Sequence, residues 1–136
     1  MYDESVTQEY IYMQTASRIV DSVIEGFNGT IFAYGQTGSG KTWTMTGVPG
    51  NEGLTPRSVH QLFARAGELG QVSTVTVRMY FVELYNDQLV DLLRNLEPKG
   101  KKKQAPPALE IKVDASKMVI VKNAIVRDVG SAEELL

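Results

Sequence analysis

The chain has 136 residues, 43% apolar and 22% charged, with a formal net charge of −2. This is the composition of one ordinary globular domain, and it excludes disordered, collagen-like and membrane-spanning classes. With no cysteine and a single histidine, His60, disulfides, thiolate zinc sites, a thiol nucleophile and a His-rich metal centre are excluded too. No apolar run reaches the roughly 20 residues a membrane helix needs, and acids stand near the N-terminus where a signal peptide carries bases, so a cytosolic chain without membrane contact is expected.

Charge is unevenly placed. Residues 1–93 hold 5 basic and 10 acidic side chains, a net of −5, whereas residues 94–136 hold 9 and 6, a net of +3. A basic excess draws acidic partners such as nucleic acid, but this one is small and reads as a solvated loop, so no nucleic-acid partner is expected.

In chain order, the first expected element is a long helix over 8–27. Tyr12, Ala16, Ile19, Val20, Val23, Ile24 and Phe27 recur three or four apart on one face. Ser5 with Gln8 forms a capping-box pair, and Asn28-Gly29 supplies a stop. Residues 30–34, T-I-F-A-Y, are apolar on both alternating faces, the pattern of a strand buried inside a sheet. A Gly-rich loop follows, then a helical stretch at 42–46, a loop at 47–53 and a helix at 56–66 with Pro56 in its first turn. Residues 75–82 alternate as one long strand. Asn86 is placed to cap a short helix running to Leu93, and the run from Arg94 to Pro107, with three prolines and five basic residues, reads as a loop or flexible insertion. Strands are expected at 109–113 and 118–122, joined through 114–117, with 125–129 extending the second or adding a third. Ser131 with Glu134 then opens a helix.

The chemistry sits in Gly35-Gln36-Thr37-Gly38-Ser39-Gly40-Lys41-Thr42, which matches the phosphate-binding pattern G-x-x-x-x-G-K-[ST] between an expected strand and a helix start. Gly35, Gly38 and Gly40 permit positive φ and carry no Cβ, so successive N–H groups can converge on phosphate oxygens. Lys41 would reach the β- and γ-phosphates and the Thr42 hydroxyl would bind Mg²⁺. At average residue usage the pattern arises by chance in roughly half a percent of chains this long, which sets aside an ordinary Gly-rich turn. Hydrolysis needs in addition a metal-organising acid and a water-positioning group. Glu83 and Asp91 are the candidates, and both read better as parts of strand-to-helix structure. The guanine-recognition pattern fails at Ile111-Lys112-Val113-Asp114, which disfavours GTP.

With those residues in view, N-G-T-I-F-A-Y-G-Q-T-G-S-G-K-T-W-T-M-T-G, from Asn28 to Gly47, strongly resembles the nucleotide-binding core of kinesin motor domains. G-L-T-P-R, from Gly53 to Arg57, and V-E-L-Y-N-D-Q-L-V-D-L-L, from Val82 to Leu93, are similar to further kinesin motifs in the same order. The resemblance implies an α/β fold of the P-loop NTPase type, a mixed sheet, largely parallel near the loop, flanked by helices. It divides the chain into a P-loop core at 1–93, a basic Pro-rich insertion at 94–108 and a small β lobe at 109–130. The implied ligands are ATP or ADP with Mg²⁺, contacted by Gln36 to Thr42, with Trp43 beside the adenine. Microtubules are the implied partner, the lobe touching tubulin through Lys117, Lys122 and Arg127, and any dimer would form through segments outside these residues. The location implied is the cytoplasm and its cytoskeleton. Similarity is greatest to the minus-end-directed, C-terminal-motor class.

The family's Ser-rich N-x-x-S-S-R-S-H switch, its D-L-A-G-S-E switch and its N-terminal adenine-side Arg and Pro are not among these residues. The expectation is therefore part of a motor, an incomplete core that binds nucleotide while hydrolysing it slowly or not at all. Two other readings stand beside it. One is a nucleotide-binding or protein-interaction module whose cradle is vestigial; the other is a small P-loop kinase, for which the sequence offers no substrate lid.

Overall fold

The computed structural model describes residues 2–3, 5–96, 107–115 and 117–136. Two compact units are present, one made of residues 1–75 and 130–136, the other of residues 76–129. Most of the expected 94–108 insertion lies outside the described residues.

In the first unit the expected long helix is two helices, α1 (Gln8–Gln14) and α2 (Ala16–Ile24). The break has a local cause. Thr15 leaves the helical region at φ −124 and ψ −74, and its hydroxyl joins its own N–H on the Ile11 carbonyl, at 2.6 Å and 3.1 Å, an i−4 back-bond of the kind that bends helices. The N-cap is Thr7, whose Oγ1 accepts from the Tyr10 N–H at 3.2 Å; Ser5 instead bonds Asp3, so the expected Ser5–Gln8 capping box does not form.

The stop comes at Gly26, before the expected Asn28-Gly29. Gly26 adopts φ 99, its N–H reaches Val23 O at 3.0 Å, and Phe27 N–H reaches Ser22 O at 3.0 Å. Those two bonds make a Schellman cap, which needs a left-handed residue at that position.

Residues 30–34 form no strand. A strand exists only as part of a ladder, and no described strand pairs with this segment, which leaves Phe32 and Tyr34 exposed. The helix α3 (Lys41–Met45) follows the Gly-rich loop. The expected loop at 47–53 contains a small hairpin, β1 (Gly47–Val48) and β2 (Asn51–Glu52), turning through Pro49-Gly50. Next comes α4 (Leu54–Leu69), with Pro56 in its first turn as expected. The unit ends in α5 (Ala132–Leu135), where Ser131 Oγ accepts from Glu134 N–H at 3.2 Å while Glu134 Oε2 accepts from Gly130 N–H at 2.7 Å.

Tyr12, Ala16 and Leu54 form the core, with Ile11, Ile31 and Met45 packed on it. One half-buried carboxamide ties the helices together. Gln61 Oε1 accepts from Tyr12 OH at 2.5 Å and Ser17 Oγ at 2.9 Å, and its Nε2 donates to Ser17 O at 3.1 Å and Asp21 Oδ1 at 2.8 Å. All four hydrogen-bonding positions of the amide are used.

The second unit is built from antiparallel pairs. The expected strand at 75–82 is shorter, β3 (Val77–Met79), and pairs with β8 (Arg127–Val129). The helix expected after Asn86 is instead a hairpin, β4 (Val82–Tyr85) with β5 (Gln88–Asp91). Asn86 and Asp87 sit at φ 48 and φ 59, the two consecutive left-handed residues of a type I′ turn, whose twist suits a hairpin. A 3₁₀ turn at Leu93–Leu96 follows. β6 (Glu110–Val113) pairs with β7 (Val119–Lys122) across the expected turn, Lys117 taking φ 63. All four described ladders are antiparallel pairs, so the largely parallel sheet expected near the loop is not formed among the described residues.

Candidate phosphate-binding site

The loop 35–40 changes direction where its glycines allow. Gly38 and Gly40 take φ 82 and φ 88, a region costly for any residue with a Cβ. No other atom lies within 4 Å of where a Cβ would stand at either position, so backbone conformation alone accounts for glycine there. Ser39 N–H closes a turn on Gln36 O at 3.2 Å, and Gly40 caps α3, its carbonyl accepting from Thr44 N–H at 2.8 Å.

Lys41 bridges the loop. Its Nζ donates to Gly35 O at 2.8 Å and to Gln36 O at 2.7 Å, which engages two of the ammonium's three donors. A cavity of about 360 Å³ opens beside it, lined by Thr37, Gly38, Gly40, Lys41, Thr42 and Trp43. Six of the nine expected site residues thus line one space, and the other three, Gly35, Gln36 and Ser39, shape the loop around it. The lining offers an ammonium, two hydroxyls and a glycine backbone and no carboxylate, a donor set that suits a phosphate chain and its counter-ion. The volume falls in the usual range for small-molecule pockets. The indole of Trp43 is half exposed.

One residue that bears on the site was invisible to motif reading. Gln8, 4% exposed, donates from Nε2 to the Trp43 carbonyl at 2.6 Å. In the sequence it stands as a capping partner for Ser5, and nothing local signals a contact 35 residues away.

The remaining candidates lie in the second unit. Lys117 precedes β7, Lys122 ends it and Arg127 begins β8; all three are exposed. Glu83 is exposed on β4. Asp91 is buried, and it accepts from the N–H groups of Arg94 and Ile125 at 3.2 Å and 2.8 Å. These structural bonds match the reading of Asp91 from sequence. Among the described residues no cluster of three or more His, Asp or Glu side chains is placed to hold a metal, and no helix is long and apolar enough to cross a membrane.

The family model for the kinesin motor domain matches residues 1–136. The chain belongs to the kinesin motor domain family. It is 42% identical over 135 residues to Kinesin-like protein KIN-14I of Oryza sativa subsp. japonica, 99% of this chain and 10% of that protein. It is 41% identical to Kinesin-like protein KIN-14E of Arabidopsis thaliana, again 99% of this chain and 10% of that one. Kinesin heavy chain of Strongylocentrotus purpuratus is 35% identical over 139 residues, covering 100% of this chain and 13% of that one. The chain therefore spans about a tenth of the length of these relatives, and their identities mark the family without singling out a motor class.

Among solved structures, a KIF14 dimer in a two-heads-bound state, with AMP-PNP and a microtubule, matches at TM-score 0.80 and 32% identity, over 98% of this chain and 36% of that one. A mutant kinesin motor ATPase matches at TM-score 0.78 and 30% identity, over 98% and 38%. The kinesin fold class expected from the loop and its flanking motifs is that of these neighbours.

Proposed function

We propose that this kinesin segment is the ATP- and ADP-binding part of a microtubule motor, with Gly35 to Thr42 holding the phosphates, Thr42 the Mg²⁺ and Trp43 the adenine. The observation that carries this reading is the cavity on the loop, which Lys41, Thr42 and the left-handed glycines Gly38 and Gly40 all line. Lys41 keeps one N–H donor and its full charge for phosphate oxygens while its other two donors hold the loop closed. The Thr42 hydroxyl, on the first turn of α3, is the oxygen ligand for the metal. Magnesium, when bound, neutralises charge on the phosphate oxygens. The Trp43 ring offers a stacking face to the base, a contact worth about 1–3 kcal/mol in stacking systems.

Binding is the activity these residues support. No described carboxylate lines the loop cavity, and neither kinesin switch sequence is among the 136 residues, so ATP turnover by this polypeptide alone is slow or absent. Contact with tubulin falls to the exposed cations Lys117, Lys122 and Arg127, which suit an acidic surface. The microtubule bound in the KIF14 structure supports tubulin as the partner, and the cytoplasmic cytoskeleton is the location this reading implies. No membrane or nucleic-acid role is proposed.

Titration of the purified chain with a fluorescent ADP analogue and Mg²⁺ tests the reading. Saturable, magnesium-dependent binding that Lys41→Ala abolishes is expected. Equal binding by Lys41→Ala would refute it. Rapid ATP turnover by the 136-residue chain, lost in Lys41→Ala, would keep the site and refute the limit on hydrolysis.

A further inference from the structure

Gln8 is the first residue of α1, directly behind the Thr7 cap, and is 4% exposed. A carboxamide buried so deeply normally has its polar atoms engaged. Here Nε2 is bonded to the Trp43 carbonyl, whereas Oε1 is buried with no hydrogen-bond partner among the described residues. An orphaned buried acceptor lowers stability, so a residue selected for packing alone would be apolar at this place.

The bond that Gln8 does make falls on the helix carrying Lys41 and Thr42. That helix has five residues, too few to hold itself in water. Gly47, at φ 71, leaves the helical path just beyond it, so the Trp43 carbonyl belongs to a helix end and takes its partner from elsewhere. Gln8 provides that partner.

We propose that Gln8 is a positioning residue of the nucleotide site, its amide N–H setting α3 against α1 through the Trp43 carbonyl and so fixing where Lys41, Thr42 and the Trp43 ring stand. This rests on the reading of 35–43 as the nucleotide site and adds a residue to it that touches no ligand. It also accounts for the unpaired Oε1, a stability cost retained because the donor on the same group is needed at α3.

The test uses the 136-residue chain with Gln8→Met, which keeps length and flexibility and removes both polar atoms, beside Lys41→Ala as control. Three readouts are taken: affinity for the methylanthraniloyl derivative of ADP with Mg²⁺, the emission maximum of Trp43, the only tryptophan in the chain, and the urea midpoint by circular dichroism. Gln8→Met is expected to weaken affinity about tenfold, the factor that 1.4 kcal/mol represents, to shift Trp43 emission, and to leave the urea midpoint unchanged or raised. Affinity and emission equal to those of the unsubstituted chain would overturn the proposal. A lowered midpoint would overturn it as well, because the amide would then be a prop of the fold. If Lys41→Ala binds as tightly as the unsubstituted chain, the site reading has failed and the role of Gln8 falls with it. If Lys41→Ala abolishes binding while Gln8→Met leaves it intact, the role of Gln8 alone has failed.

Discussion

Replacing Asp91 with alanine separates a structural carboxylate from a metal-organising one. The side chain is 3% exposed. Its Oδ2 accepts from Ile125 N–H at 2.8 Å and its Oδ1 from Arg94 N–H at 3.2 Å, and Arg94 Nη2 lies 3.7 Å from Oδ2. Truncation removes two hydrogen bonds to an ionised acceptor, each worth about 1.5–3 kcal/mol. The longer ion-pair contact adds little, since Arg94 still donates to Asn123 O at 2.8 Å. Both freed N–H groups belong to half-buried residues that water can reach, which holds the loss at the lower end, about 3 kcal/mol, in the range for breaking a buried pair. With a urea slope of about 2 kcal/mol per molar, the midpoint falls by about 1.5 M. Urea unfolding measures the total, and amide exchange at Ile125 and Arg94 locates it. Glu83→Ala, on an exposed strand position, serves as the comparison and should change stability by about 0.5 kcal/mol or less. An unshifted midpoint with unchanged Ile125 protection would refute the reasoning. Loss of magnesium-dependent nucleotide binding in folded Asp91→Ala would return this carboxylate to metal chemistry.

Three further outcomes are expected. Gly26→Ala should cost about 1–2 kcal/mol in urea melts, entirely through backbone strain, because the space a Cβ would enter is open; an unchanged midpoint would contradict the Schellman assignment. Asp87→Gly should stabilise the β4–β5 hairpin by about 0.5 kcal/mol, relief of left-handed strain at φ 59 outweighing the entropy glycine adds to the unfolded chain, and slower amide exchange in Val82–Tyr85 would report it. Glu52 is held below the usual 4.5 of a glutamate, chiefly by its own N–H and that of Gly50. A depressed carboxyl contributes stability above 4.5 and loses it as pH falls through its folded value, so the Gly50 amide shift should titrate below pH 4.5 and that titration should vanish in Glu52→Gln.

Chemistry was more legible in the sequence than topology. The run from Gly35 to Thr42 states its donors by residue type, and Ser131 with Glu134 states a cap; both depend on neighbours within a few positions. The errors arose where local patterns compete or where partners are distant. Asn86-Asp87 suits a helix cap and a type I′ turn equally by composition, and the complementary strand 88–91 decided for the turn. Thr15 reads as one more residue in a helical period, yet its backbone leaves the helical region and its hydroxyl shares the Ile11 carbonyl with its own N–H. T-I-F-A-Y carries the composition of a buried strand, but composition records a preference for burial and supplies no neighbouring ladder; Tyr34 stands 96% exposed.

The same distinction governs the site. α3 presents the lysine and threonine that a motif search finds, yet its placement is determined by bonds from outside the motif. The Thr42 carbonyl is satisfied within the helix by Thr46 N–H at 2.8 Å, whereas the Trp43 carbonyl takes the Gln8 amide and the Thr46 carbonyl takes Gly53 N–H at 3.0 Å. A five-residue helix has too few internal bonds to resist displacement, and positional errors of an ångström weaken preorganised sites. The supports at 8 and 53 therefore belong to the site as much as the residues facing its cavity do. Substitutions at those two positions should alter nucleotide affinity without altering any group that touches nucleotide.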